Sequence, residues 1–404
     1  MRKRKHAFAA LVVAIAAAAV VLTAGVGAGS AKSSSAFKVA WIYVGPHNDG
    51  GWSQAHDAGR QYVQKMLGSK VQTTYKENIA VGPQLQQTVQ SLVQQGYKMI
   101  FGTSYGFFDK KLAAKYPNVL FEQATGTDTA KNLAEYFGAA EDTVFLSGMA
   151  AGAATKSGNI GYVVAFPIPE VIRHANAFAL GAQLMHPGAK VHLVWTNSWY
   201  DPAKEKKAAE SLVAAGADVL GQNVDSPATG QYAESKGIPW VGYDSDAKNF
   251  APKSWLTAST YNWGPYYLSR VKAAMAGTWK SGFYYGSIKD GFTGLAAYGP
   301  GVSAKTKAAI AAKKKAIESG SFYEFAGPLY DQEGIVTADC DLRQGLHAKR
   351  WFDSVGHYSR EDVLLGEIDS TPGLEAPAGS DQPGSSSNST SPTTTSSPGS
   401  KPAR

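Results

Sequence analysis

From residue 37 to residue 289, short apolar runs alternate with amphipathic stretches at helical spacing, and the polar residues able to do chemistry fall just after the apolar runs. After residues 37–44 comes Gly45-Pro46-His47-Asn48-Asp49-Gly50-Gly51-Trp52, and after 97–101 comes Gly102-Thr103-Ser104-Tyr105-Gly106. After 191–195 comes Asn197-Ser198-Trp199-Tyr200-Asp201, and after 239–242 comes Tyr243-Asp244-Ser245-Asp246. Strands that alternate with helices build βαβ units with right-handed connections and a parallel sheet. In open α/β sheets, ligands sit outside the carboxyl ends of the strands. The pattern therefore predicts an α/β fold with a small-molecule site assembled from several loops.

The rhythm runs twice. Residues 37–121 give strands at 37–44, 75–80, 98–101 and 119–121, with helices between them; Gly68 ends the first helix and Pro83 opens the next. It restarts after Lys156, with strands at 159–166, 191–195, 218–220 and 240–241. A globular region from 37 to 358 is longer than the roughly 250–300 residues at which one core tends to split. Two lobes are expected: 37–150 with a return segment at about 256–285, and 157–255 with part of 286–358.

The ends read differently. Met1-Arg2-Lys3-Arg4-Lys5, an almost wholly apolar stretch at 7–26 and small residues after it match an export signal covering 1–31. The alternative is an uncleaved anchor, since the stretch is long enough to span a bilayer. Residues 1–31 hold four of the 39 basic residues and none of the 32 acidic ones, so the formal charge of +7 falls to +3 beyond them. No clustered basic run suggests nucleic acid. Residues 369–404, rich in Pro, Ser, Thr and Gly, have too little apolar surface to offset the entropy of ordering and read as a disordered tail. The single cysteine, Cys340, has no partner for an internal disulfide and lies far from the signal, so no N-terminal lipidated cysteine follows it.

Each motif has a plain structural reading beside its functional one. Asp49 stands where a helix cap belongs. Gly102-x-Ser104-x-Gly106 fits the string of a serine nucleophile elbow, whose histidine would have to be His347 or His357; it equally fits a tight turn. Trp199 and Tyr105 are rings able to stack on a flat ligand. Asp244 and Asp246 lack the further ligands of a calcium loop, and suit ligand hydroxyls or amines better. No His/Cys/Asp cluster has metal-site spacing, and no cofactor is implied.

Taken in order, these segments resemble the basic membrane protein family of ABC-transporter substrate-binding proteins, which have a type I periplasmic-binding-protein fold. The resemblance rests on 45–60, 102–106, 137–152 with its Leu146-Ser147-Gly148-Met149-Ala150-Ala151-Gly152, 197–202, Asp225-Ser226-Pro227, 241–246 and Lys289-Asp290-Gly291. It implies a non-enzymatic monomer that binds a purine base or nucleoside between two lobes and delivers it to a membrane permease and its ATPase. The protein would be exported, periplasmic or at the cell surface. It further implies that Asn48 and Asp49 address the polar edge of the base, that Trp199 and Tyr105 stack on its faces beside Ser104, and that Asp225, Asp244 and Lys289 contribute polar contacts. Nucleoside-binding relatives often carry an acidic residue where this chain has Thr103-Ser104-Tyr105, which favours a free base. A sugar, an aromatic acid or, with Ser104 as nucleophile, an ester remain alternatives.

Overall fold

The computed structural model describes residues 36–326, 329–330 and 336–338. The expected signal at 1–31, the tail, Cys340, His347 and His357 lie outside them. The chain opens with β1 (Phe37–Ile42), α1 (Trp52–Leu67), β2 (Val71–Lys76), α2 (Pro83–Gln94), β3 (Met99–Gly102), α3 (Lys110–Lys115), β4 (Leu120–Ala124) and β5 (Leu133–Gly138). It continues with α4 (Ala140–Ala154), β6 (Asn159–Val164), α5 (Pro169–Met185), β7 (Lys190–Trp195), α6 (Pro202–Ala214), β8 (Val219–Asn223), α7 (Ala228–Lys236), β9 (Trp240–Gly242) and β10 (Trp255–Tyr261). Last come α8 (Trp263–Met275), β11 (Phe283–Gly286), β12 (Thr293–Leu295), α9 (Ala304–Glu318) and the short pair β13 (Leu329–Tyr330) and β14 (Val336–Ala338).

Two six-stranded sheets result. The first runs β11-β5-β4-β3-β1-β2 and is parallel throughout; the second runs β12-β10-β9-β8-β6-β7 and is parallel except for the edge strand β12. The chain passes between sheets three times: between β5 and α4, between β10 and α8, and between β11 and β12. Residues 255–261, where the sequence suggests the return to the first lobe, pair with β9 in the second sheet, and α8 and β11 make the return instead.

Two elements carry no periodic signal for a physical reason. Strand β5 is buried at every position, and α4 is buried from Ala140 to Gly152. An element enclosed on all sides has no polar face to mark its period. Helix α4 packs against α5 so closely that a Cβ on Gly152 would lie 2.1 Å from the carbonyl oxygen of Ala182, and one on Gly181 would lie 2.0 Å from that of Phe145. The first lobe is filled differently, with rings. Trp41 stacks on Phe101 at 4.8 Å, Trp263 on Tyr261 at 4.5 Å and His56 on Trp263 at 4.2 Å. Truncating a buried ring of this kind costs about 3–5 kcal/mol.

Candidate functional site

The carboxyl ends of both sheets face one cleft. The first lobe lines it with Val44 after β1, Trp52 at the start of α1, Ser104 and Tyr105 after β3, and Thr125 after β4. The second lobe lines it with Glu170 after β6, Trp199 after β7, Asp225 after β8, and Tyr243 and Asp244 after β9. A larger groove of about 530 Å³ lies on the outer edge of the first sheet, between α8 and β11. It is open, and its Arg270 is committed to Glu122 at 2.5 Å; the interlobe cleft is the one that converges side chains from seven strand ends.

Asp49 caps the helix. Its carboxylate accepts from the backbone N–H groups of Gly51, Ser53 and Gln54, each at 2.9 Å. Burial raises its pKa and these three donors oppose the rise. The cap fixes the entry of α1, and so places Trp52. The Trp52 indole N–H donates to the carbonyl of Thr103 at 2.5 Å, and its ring meets Tyr261 and Trp263 edge-on at 5.6 and 5.4 Å. Trp52 therefore both packs the first lobe and lines the cleft, where the sequence alone favours packing. Gln123 holds the next loop by donating to the carbonyl of Ser104 at 2.6 Å and accepting from the N–H of Phe108 at 3.0 Å.

The second lobe contributes carboxylates. Asp244 is fully buried, neither of its carboxylate oxygens has a hydrogen-bond partner, and its backbone is left-handed at φ +63°. A non-glycine residue in that region is uncommon and costs on the order of 1–3 kcal/mol. Burial pushes its pKa well above the carboxylate range, and Glu170 and Asp49 push the same way. Asp225 is 2% exposed with Oδ2 unpartnered, and burial, then Asp49 and Asp244, raise it as well. Glu170 is raised to about 7 by burial, which outweighs the opposing pull of Arg173. No lysine or arginine lines the cleft among the described residues; Arg173 sits behind it, 3.4 Å from Glu141. Tyr243 is steered from behind by His174, whose Nδ1 is 3.2 Å from its hydroxyl.

The lobes meet at the rim. The Ser245 hydroxyl donates to the carbonyl of Gly50. A Cβ on Gly51 would lie 2.7 Å from the backbone carbonyl oxygen of Asp225, so only glycine permits this approach.

The structure thus gathers Ser104, Tyr105, Trp199, Asp225 and Asp244 around one space. Tyr105 is exposed and Trp199 half-buried, resting edge-on against Phe166 at 5.2 Å. Asn48 and Lys289 are exposed and do not belong to the cleft wall: Asn48 lies on the β1–α1 loop, and Lys289 in the turn between β11 and β12. Glu170, Tyr243, Thr125 and Val44 join the wall without having been singled out. The strand-end rule, extended to β6, reaches Pro167-Ile168-Pro169-Glu170. Among the described residues, no group of three or more His, Cys, Asp or Glu side chains is arranged to hold a metal ion.

The model of the ABC transporter substrate-binding protein PnrA-like family, Bmp, matches residues 36–324. The chain belongs to this family. It is 39% identical over 306 residues, 75% of this chain and 87% of the relative, to a purine-binding protein of Brucella abortus. It is 35% identical over 298 residues, 73% of this chain and 75% of the relative, to a putative ABC transporter glucose-binding protein of Haloferax volcanii. A solved ABC transporter solute-binding protein from Conexibacter woesei shares the fold, with a TM-score of 0.60 at 22% identity over 71% of this chain and 98% of that one. The fold is thus that of a two-lobed type I periplasmic binding protein. ABC transporter substrate-binding proteins act outside the cytoplasm, as binding proteins for solutes.

Proposed function

We propose that this Bmp-family chain is the solute receptor of an ABC importer for a purine, taken as the free base in preference to the nucleoside. The observation that carries the reading is the pairing of Asp225 and Asp244, buried and with unpartnered carboxylate oxygens, with aromatic walls on both lobes. A purine has flat faces for the rings and an edge of N–H groups for the carboxylates. A buried acceptor left without a donor costs about 1–3 kcal/mol or more, so a ligand that supplies N–H groups relieves a cost already present in the fold. The name of the Brucella relative supports the choice of purine.

Closure supplies the transport logic. A ligand held against Trp52 and Ser104 on the first lobe offers its edge to the second, and the contacts of Gly50 and Gly51 with Ser245 and Asp225 complete the rim. The closed shape is what a permease and its ATPase would read. We place the ionised forms of Asp225 and Asp244 in the complex, because N–H donors to a carboxylate favour its charged form.

A second reading is a sugar. The Haloferax relative is named for glucose, and sugar hydroxyls also donate to carboxylates while sugar faces stack on rings. Native mass spectrometry of the gently purified chain, followed by a thermal-shift panel of purine bases, nucleosides and glucose, separates the readings. A co-purified purine base that also raises the melting temperature most supports the proposal. Glucose as the sole stabiliser, with every purine silent, would overturn it.

A further inference from the structure

The end of the first lobe remote from the cleft has one sign of charge. In a parallel sheet all strands start at the same end, and five of the six strands here start with a lysine on or just before their first residues: Lys38, Lys70, Lys98, Lys131 and Lys280. All but Lys38 are exposed; Lys38 is half-buried and donates to the carbonyl of Gln95 at 2.9 Å. The last turns of α1, α3 and α8 end at this pole and add the exposed Lys65, Lys115 and Lys272. Cations there complement the helix dipole, which accounts for these three but not for the lysines at the strand starts.

The carboxylates of the same lobe are elsewhere. Asp49, Glu77, Asp109, Asp128 and Asp290 follow the carboxyl ends of strands, Asp57 is paired with Arg60 in the first half of α1, and Glu122 and Glu135 are buried within β4 and β5. Among the described residues no Asp or Glu lies at this pole. Two large apolar side chains protrude among the lysines instead: Met66, 52% exposed at the end of α1, and Met275, 38% exposed at the end of α8, the helix packed against it. The corresponding pole of the second lobe is mixed in sign. There Asp218 accepts from the backbone N–H groups of Lys156 and Ser157, and Glu234 from that of Lys253, while Lys190 opens the edge strand β7.

We propose that the lysine pole of the first lobe docks on an anionic phospholipid surface. Cationic side chains around protruding apolar ones match a headgroup layer above acyl chains. A free polyanion would have no use for the methionines. The pole is also where the chain preceding Phe37, with its apolar run at 7–26, joins the fold. Docking through this face leaves the cleft rim free.

The test is co-sedimentation of residues 37–404, which keep every described strand and helix of both sheets, with phosphatidylcholine vesicles with and without phosphatidylglycerol. Binding should require phosphatidylglycerol and weaken with salt. Each lysine near an anionic surface contributes roughly a fivefold gain in binding, so K65E/K70E/K98E should abolish it. The control K156E/K190E/K236E, with the same change in net charge, should retain most of it. Unchanged melting temperatures certify both folds; if the first variant melts early, Met66→Ser/Met275→Ser replaces it and should weaken binding severalfold. Absence of phosphatidylglycerol-dependent binding, or equal loss in the control, overturns the proposal. Displacement of the protein from vesicles by soluble polyphosphate at matched charge overturns the choice of a bilayer.

Discussion

The two lobes have the same six-stranded plan and meet the same cleft, yet the polar groups they bring to that cleft are built to different ends. In the first lobe the polar groups near the cleft are satisfied: Asp49 by three backbone donors, the Trp52 indole by Thr103, the loop at Ser104 by Gln123. In the second, Asp225 and Asp244 keep carboxylate oxygens without partners, and Glu170 is pushed up to about 7. On its cleft side the first lobe is a finished platform. The second carries a cost that a ligand's donors can remove. Affinity should therefore be more sensitive to polar changes in the second lobe, and the following substitutions put that asymmetry at risk.

The largest effect is expected at Asp244. Asp244→Ala should weaken the preferred ligand about a hundredfold, the size of a lost hydrogen bond to a charged group. Asp244→Asn should in addition raise the melting temperature of the unliganded protein at neutral pH, because it removes a carboxyl that must take up a proton above its ordinary pKa in order to be buried. Calorimetric titration and thermal melts check both, and an Asp244→Asn protein that melts lower when unliganded would contradict the account of a stored cost. Next comes Gly51→Ala, whose methyl meets the Asp225 backbone only when the lobes are together. Overpacking of this kind costs about 1–3 kcal/mol, so affinity should drop roughly tenfold while the unliganded melting temperature holds. Small-angle scattering should show a more open average shape with ligand present.

Trp199→Ala should follow, with a loss of about two- to tenfold from stacking. A larger loss than at Asp244 would make the rings, not the carboxylates, the main determinant. The pH response is smaller and has two signs. Glu170 binds its proton more tightly in the fold, at about 7, than its ordinary value of 4.5. Its contribution to stability is fully present below the ordinary value and is lost as pH rises through 7. The unliganded melting temperature should thus fall between about pH 5 and pH 8, while the rise produced by an N–H-rich ligand grows over the same span. Asn48→Ala and Lys289→Ala, exposed and off the cleft wall, should change affinity by no more than about twofold, since exposed polar contacts contribute little.

Much of this arrangement is legible in the chain. The rule that polar residues after strand ends face the cleft leads from sequence to Ser104, Tyr105, Trp199, Asp225 and Asp244. Where it fails, the reasons are physical. The loop 45–51 is long enough for one residue to turn inward and its neighbour outward, so Asp49 is 2% exposed while Asn48 is open to solvent. Elements β5 and α4 are invisible to periodicity because nothing about them is amphipathic. Strand β10 reads as the return because it precedes the helix α8 that follows the last βα unit, but pairing with β9 is a long-range fact that local pattern does not contain. Trp52 belongs to two environments at once, where sequence alone favours only the packed one.

The three passages between the sheets bear on how the molecule is made. The first sheet is incomplete at its β5 edge until β11, near residue 286, takes its place. During synthesis, residues 37–138 must wait for more than a hundred further residues before their own sheet can close. The half emerging first therefore cannot complete its sheet while the rest is still on the ribosome, and its β5 edge stays open to other partners until then.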